Sequence, residues 1–349
     1  MASKGVSRRW HLDHNGIRRE GSKESGFTFR TPDGSAVKQE KVLARIKKLR
    51  IPPAWQDVRI APGDSAPLQV LGVDKKGRTQ YLYHSRFRQQ REDEKFLRVV
   101  RFGEALPKLR RQVRTDLKRG ELEKDTVVAA MVRLIDQGFF RIGNDESARS
   151  ELTYGLTTIR PKHVKVVGDR LSFDYVGKWK KKQGRSLRDA DVARLIDRLK
   201  REKGGELFKF RTGKRFVDVK DRHVNEYIQR FISDDFTAKD FRTWAGTLLC
   251  FTALAKQGPP LSQTDGKRKV RKAIVETAQQ LGNTPAVCKS SYICPMLIDE
   301  YMVSRPFESL RGTRKGNPVA LIGLSIEEKA LRKLFRQTIA DRRKEPRAA

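Results

Sequence analysis

The sequence predicts an α+β chain: a small β-rich N-terminal domain followed by a larger, mainly helical domain that carries one β-hairpin. Three observations predict it. Short apolar runs separated by turn residues fill positions 51–84. Apolar residues recur at helical spacing from about residue 96 onward. Within the helical part, HVKVVGDRLSFDYVG alternates apolar and polar residues around Gly168-Asp169, as two strands joined by a tight turn would.

Residues 1–35 are polar and rich in Gly, Ser and charge, and read as an arm that is flexible at least in part. Residues 37–49 fit a short amphipathic helix that the prolines of IPP at 51–53 end. Strands are expected at 58–61, 68–73 and 79–84, the last two joined by the turn DKKGR. The β-rich domain therefore spans 36–90 and the helical domain 91–349. In the latter, SRFRQQREDEK leads into a helix over 96–109. Asp125 is placed to cap TVVAAMVRLID, in which Val128, Met131 and Ile135 keep helical spacing. A short helix is expected after FFRIGND, and GKWKKKQGRS reads as a basic turn. Further helices are expected at 189–202, 218–233, 237–256, 268–281 and 325–340. The last opens on SIEE, a capping box of Ser325 and Glu328. No internal repeat is visible, and GTRKG at 312–316 lacks the spacing of a phosphate-cradling P-loop.

Charge bounds the function. Among 349 residues, 76 are Lys or Arg against 42 Asp or Glu, a formal net charge of +34. Self-repulsion on that scale opposes compaction, and a polyanionic partner relieves it. Nucleic acid fits better than a membrane surface, because no apolar run approaches 18 residues and the basic, polar start shows no secretory signal. Cys250, Cys288 and Cys294 form no CxxC and leave an odd count, which fits a reducing compartment without a disulfide scaffold or zinc cluster. His11 and His14 stand close together without further ligand candidates nearby, which favours a polar segment over a metal site.

Four features of the large domain carry chemical potential. Arg141 follows an apolar helix in FFRIGN. Lys178 sits at a hairpin tip in YVGKWKKK. Lys239 and Arg242 open a helix in AKDFRTW. Asn283 stands nine residues before Tyr292 in LGNTPAVCKSSYICP. Singly, each has a bland explanation: a solvated charge, a helix C-terminal residue, a packed tyrosine. Taken in order, GRTQYLYH, FFRIGN with YGLTTIRPKHV, the FDYVGK hairpin, KDFRTW and GNTPAVCKSSY resemble the type IB DNA topoisomerases, in particular the compact poxvirus-type and bacterial members. The resemblance runs from about Trp55 to about Met302.

That resemblance implies two lobes that close as a clamp around duplex DNA. It also implies a transesterification without metal, ATP or another cofactor. Tyr292 matches the nucleophile that forms a 3′-phosphotyrosyl bond, Arg141 and Arg242 the two arginines on the scissile phosphate, and Lys178 the acid that protonates the leaving 5′-oxygen. The residue types suit the chemistry. Guanidinium offers forked donors that keep their charge. Nearby cations favour the phenolate, and an ammonium among like charges is a ready proton donor. Asn283 departs from the family, which often has histidine here; asparagine donates a hydrogen bond but carries no charge. Gln80, Tyr81 and Tyr83 match a segment that meets the major groove, with the two tyrosines on one strand face. Lys180, Lys181, Lys239 and Lys289 are further expected DNA contacts, and KRKVRK at 267–272 reads as a phosphate track. The resemblance implies a monomer, in a bacterium one that works in the cytoplasm on the nucleoid. Two rivals stand beside it. A tyrosine site-specific recombinase shares the chemistry, and KDFR resembles its HxxR pattern with Lys239 in place of His. A non-catalytic basic DNA-binding protein would explain the charge but not the ordered motifs.

Overall fold

The computed structural model describes residues 7–143, 148, 150, 152–303 and 317–344. The chain divides into two compact units, one ending at Glu94 and one beginning at Lys95. The first is built on an antiparallel sheet of β1 (Ile17–Ser22), β2 (Gly26–Arg30), β3 (Gln56–Ile60), β4 (Leu68–Val73) and β5 (Thr79–Tyr83), in the order β2-β1-β3-β4-β5. Helices α1 (Arg8–Asn15) and α2 (Glu40–Lys48) pack on it. Neighbouring residues of β4 point to opposite faces. Val70 joins Ile46 of α2 with Ile17, Val58 and Ile60, while Leu71 joins Leu12 of α1 with Ala61 and Leu68. The two helices thus cover opposite faces of the sheet.

Residues 8–30, which the sequence pattern assigns to a polar arm, form α1, β1 and β2 instead. The polarity misleads because this part of the sheet is mostly solvated. Of IRREGS only Ile17 is buried, and of GFTFR only Phe27 and Phe29 are half-buried. The DKKGR turn joins β4 to β5 as expected. Asp74 closes it by accepting from the backbone N–H of Lys76 at 2.9 Å and of Arg78 at 3.0 Å.

Helix α3 (Ser85–Arg119) is far longer than the expected 96–109. The second unit adds α4 (Lys124–Gly138), α5 (Ala190–Arg201), α6 (Asp221–Phe231), α7 (Ala238–Gln257), α8 (Gln263–Leu281), α9 (Pro295–Met302) and α10 (Ile326–Lys344). Helices α4 and α7 are buried on nearly every side, as their continuous apolar runs dictate. Asp125 lies in the first turn of α4 rather than at its N-cap, which is Glu123. Helix α6 starts at Asp221, later than the expected 218, because Asp218 ends a strand.

The helical unit carries more sheet than one hairpin. Strands β6 (Val164–Val167), β7 (Arg170–Gly177) and β8 (Lys181–Arg188) form one antiparallel sheet, and β9 (Lys209–Thr212) with β10 (Arg215–Asp218) forms a second. Only Lys178–Lys180 of the basic GKWKKKQGRS is a turn; Gly177 ends β7 and the rest belongs to β8, paired with β7 from Gly177↔Lys181 to Arg170↔Arg188. Its side chains are mostly exposed, so the strand shows almost no apolar alternation. The short helix expected after FFRIGND and the segment GTRKG lie outside the described residues.

The expected capping box opens α10. Ser325 N–H donates to Glu328 at 2.9 Å, and Glu328 N–H donates to Ser325 Oγ at 3.0 Å. Glu328 also takes a bidentate pair of bonds from Arg110 at 2.8 and 2.9 Å and one from Trp244 Nε1 at 3.0 Å, while Arg110 grips Asp136 at 2.8 Å. All three ion-pair partners are buried. Arg110→Met would strand two buried carboxylates, so stability should fall by about 3–5 kcal/mol. Chemical denaturation checks this, and a loss under about 1 kcal/mol would show that the site relaxes to admit water.

Candidate active site

The loop after α4 is built to fix Arg141. Phe139 ends the helix in the left-handed region, with φ 57°. The Arg141 carbonyl then accepts from Leu156 N–H at 2.9 Å, and Ile142 O from Thr157 N–H at 2.8 Å. Gly143 (φ +87°) passes so close to Gly155 that a Cβ on Gly143 would lie 2.7 Å from the Gly155 Cα. Only glycine fits that crossing.

Helix α8 ends in a Schellman motif. Asn283 N–H reaches back to Ala278 O at 2.9 Å and Gly282 N–H to Gln279 O at 3.1 Å, with Gly282 left-handed at φ 65°. The next three carbonyls each receive an arginine from a different element. Arg185 of β8 donates to Gln280 O, Arg242 of α7 to Leu281 O at 3.0 Å, and Arg141 to Gly282 O at 3.1 Å. Arg141 also donates to Asn283 Oδ1, and Arg242 to Phe139 O. Because Oδ1 faces a guanidinium, the amide orientation is settled and Nδ2 is left as the donor.

Among the described residues no carboxylate neutralises these arginines. Arg242 is 4% exposed. Burial lowers its pKa, Arg141 lowers it further, and the pull of Tyr292 opposes both, leaving it at about 10. It is therefore charged at neutral pH. Burial, followed by the repulsion of Arg141, also lowers Arg185, against the attraction of Tyr175. Two buried donors, Arg242 Nε and Asn283 Nδ2, have no protein acceptor. Each costs about 1–3 kcal/mol if left unpaired, so the pocket is suited to an anion.

Tyr292 closes the π-helical turn Cys288–Tyr292, a form enriched at functional sites. Its ring lies under Arg242, with the guanidinium carbon 4.9 Å from the centroid. Burial alone would raise the phenol pKa. The positive charge of Arg242, then those of Arg141 and Lys239, outweigh burial and bring it below 10. The backbone around it is bracketed. Lys95 donates to Ser290 O and Ile293 O, each at 3.2 Å. Thr247 Oγ1 donates to Tyr292 O at 3.3 Å and accepts from Cys294 N–H at 3.1 Å.

Gly246 makes this approach possible, since a Cβ there would stand 2.7 Å from Tyr292 O and 2.9 Å from Tyr292 Cβ. Gly246→Ala should displace the tyrosine and slow any reaction that uses its phenol on the order of 10²-fold, while α7 itself tolerates alanine. Single-turnover kinetics with circular dichroism checks both halves; an unchanged rate would mean that the turn yields without moving the phenol.

Arg141, Arg242, Asn283 and Tyr292 thus stand together. Lys178 is exposed on the turn between β7 and β8, followed by Lys180 (φ 53°) and Lys181, both also exposed. Lys239 and Lys289 are exposed as well, in the first turn of α7 and in the π turn of Tyr292. In the first unit, Tyr81 and Tyr83 are exposed and stacked on one face of β5, ring centroids 6.1 Å apart, and Gln80 donates to Asp74 Oδ2 at 2.9 Å. Sequence reasoning missed Arg185, Gly246 and Lys95. Only Gly246, a glycine inside an otherwise strong helix, left a local signal. Among the described residues, no three His, Cys, Asp or Glu side chains group in a way that would hold a metal, and no helix is long and apolar enough to cross a membrane.

Comparison with known proteins shows the family. The family model for the catalytic core of eukaryotic DNA topoisomerase I matches residues 84–298, and that for the N-terminal domain of bacterial DNA topoisomerase IB matches 26–74. DNA topoisomerase 1B of Acanthamoeba polyphaga mimivirus is 32% identical over 300 residues, covering 84% of this chain and 89% of the viral one. DNA topoisomerase I of monkeypox virus and DNA topoisomerase 1B of vaccinia virus (strain Copenhagen) are each 24% identical over 239 residues, covering 66% of this chain and 72% of theirs. The first match spans all four residues of the cluster, and the chain belongs to the type IB DNA topoisomerases.

Proposed function

We propose that the chain relaxes supercoiled duplex DNA by transient cleavage of one strand through Tyr292. The phenolate oxygen attacks the phosphorus, the P–O5′ bond breaks, and a 3′-phosphotyrosyl link remains. The phenol proton passes to solvent. Lys178 gives its proton to the departing 5′-oxygen. Arg141 and Arg242 neutralise the nonbridging oxygens, and Asn283 Nδ2 donates to one of them. Rotation of the free strand releases torsion. The 5′-hydroxyl then attacks the phosphotyrosine, returns its proton to Lys178 and restores the phenolate. One phosphodiester is exchanged for another of similar energy, so the cycle needs no nucleotide. The arginines take the electrostatic place of a metal.

The observation that carries this reading is the ring of Tyr292 lying under a buried arginine, itself beside Arg141, that no described carboxylate neutralises. Gln80, Tyr81 and Tyr83 contact the major groove, and Lys180, Lys181, Lys239 and Lys289 contact the backbone. The exposure of the two tyrosines and of the four lysines, and the positive charge of the lysines, support those roles. The protein acts as a monomer in the compartment that holds its DNA. Relaxation of supercoiled plasmid in EDTA without ATP tests the reading, and full relaxation is expected. Strand exchange between two specific sites without relaxation would instead identify a tyrosine recombinase, and binding without nicking a non-catalytic DNA-binding protein.

A further inference from the structure

We propose that Arg185 is a positioning residue for strand cleavage and resealing, one that acts by holding the end of α8. The inference rests on the reading of Tyr292, Arg141, Arg242 and Asn283 given above. Its starting point is the arginine row on Gln280, Leu281 and Gly282. Arg141 and Arg242 have assigned work at the phosphate. Arg185 has the same kind of anchor, on the carbonyl one residue earlier, but comes from β8.

Strand geometry explains how it gets there. Gln183 and Arg185 lie two residues apart on one face of β8, opposite Tyr175 and Phe173 of β7. Both meet the end of α8. A Cβ on Gly282 would stand 2.6 Å from Gln183 Oε1 and 3.2 Å from Arg185 Nη2. The strand therefore presses on the left-handed residue that separates the helix from Asn283. With Nη1 engaged on Gln280 O, Arg185 ties the helix end to the hairpin whose turn carries Lys178.

The cost of placing Arg185 here argues for a purpose. It is partly buried beside Arg141, it donates to a neutral carbonyl, and no described carboxylate neutralises it. A neutral side chain would fill the same space without repelling Arg141. What the guanidinium adds is a charge-assisted bond to the negative end of a helix. That bond fixes three things at once: the Leu281 carbonyl under Arg242, the Gly282 carbonyl under Arg141, and the amide of Asn283.

The reacting groups serve the same transition state in both directions. Loosening their support should therefore slow cleavage and resealing equally. Arg185→Ala is expected to lower both single-turnover rate constants about 10- to 100-fold. The fraction of DNA held covalently at equilibrium should not move, nor should DNA affinity by more than about threefold. Arg185→Lys keeps the charge and one donor, and should fall between alanine and wild type with the same equal slowing. If the alanine variant does not fold, the lysine variant decides. Wild-type rates in the folded variants would overturn the inference. So would weakened DNA binding with normal rates at saturation, which would make Arg185 a phosphate contact. Absence of any covalent adduct in the wild-type protein would instead remove the underlying reading of Tyr292.

Discussion

Tyr292→Phe is expected to abolish the covalent DNA adduct and all relaxation while leaving DNA affinity nearly unchanged. Phenylalanine keeps the ring beneath the Arg242 guanidinium and the packing of the π turn, so the fold loses only the phenol hydroxyl. Stability should fall by no more than about 1.5 kcal/mol, the upper end of what one hydroxyl contributes. A gel assay for denaturation-resistant adduct reads the chemistry, and salt-titrated binding reads the affinity. The wild-type protein should show a pH dependence of definite sign. The reactive form is the phenolate, and the cations lower the phenol pKa, so cleavage should rise with pH and level off below pH 10. Arg242→Gln removes the largest of the lowering influences and should move that inflection upward, besides slowing the reaction. Nicking by the phenylalanine variant at the wild-type rate would remove Tyr292 from the mechanism.

Lys178→Ala is expected to slow cleavage by about 10²–10⁴-fold, the usual worth of a positioned general acid. The loss should depend on the leaving group. An alkoxide must be protonated as it departs, whereas a thiolate leaves unprotonated. DNA with sulfur in place of the scissile 5′-oxygen should therefore be cleaved by the variant and the wild type at similar rates. If the sulfur substrate is slowed as much as the ordinary one, Lys178 serves only the phosphate oxygens and the proton comes from another group, Arg141 being the alternative to test.

Legibility in the sequence followed the length scale of each feature. The hairpin turns at DKKGR and Gly168-Asp169, the helices with one clear apolar face, and the capping box at Ser325 are local, and local spacing reports them. Strands β1, β2 and β8 were hidden because they bury few side chains, so charge stood where alternation was sought. The β9–β10 hairpin fell between two helical patterns and is only four residues a side. At the site, Tyr292, Arg141, Arg242 and Asn283 were picked out by ordered motifs, not by any property of the residues alone. The supports were not legible. Lys95 lies nearly two hundred residues from the carbonyls it holds, and Arg185 looked like one more member of a basic run. Such contacts exist only once the chain is folded.

The central claim is that the reaction passes through a covalent bond between Tyr292 and a 3′-phosphate. The direct measurement is to incubate the protein with supercoiled DNA in EDTA, trap the complex with denaturant, digest both partners and map the joined peptide by mass spectrometry. The expected product is the peptide carrying Tyr292, linked through its phenol to a 3′-phosphate, with a free 5′-hydroxyl on the other strand end. A nucleotide on any other residue, a 5′-phosphate link, or relaxation without a covalent product would contradict it.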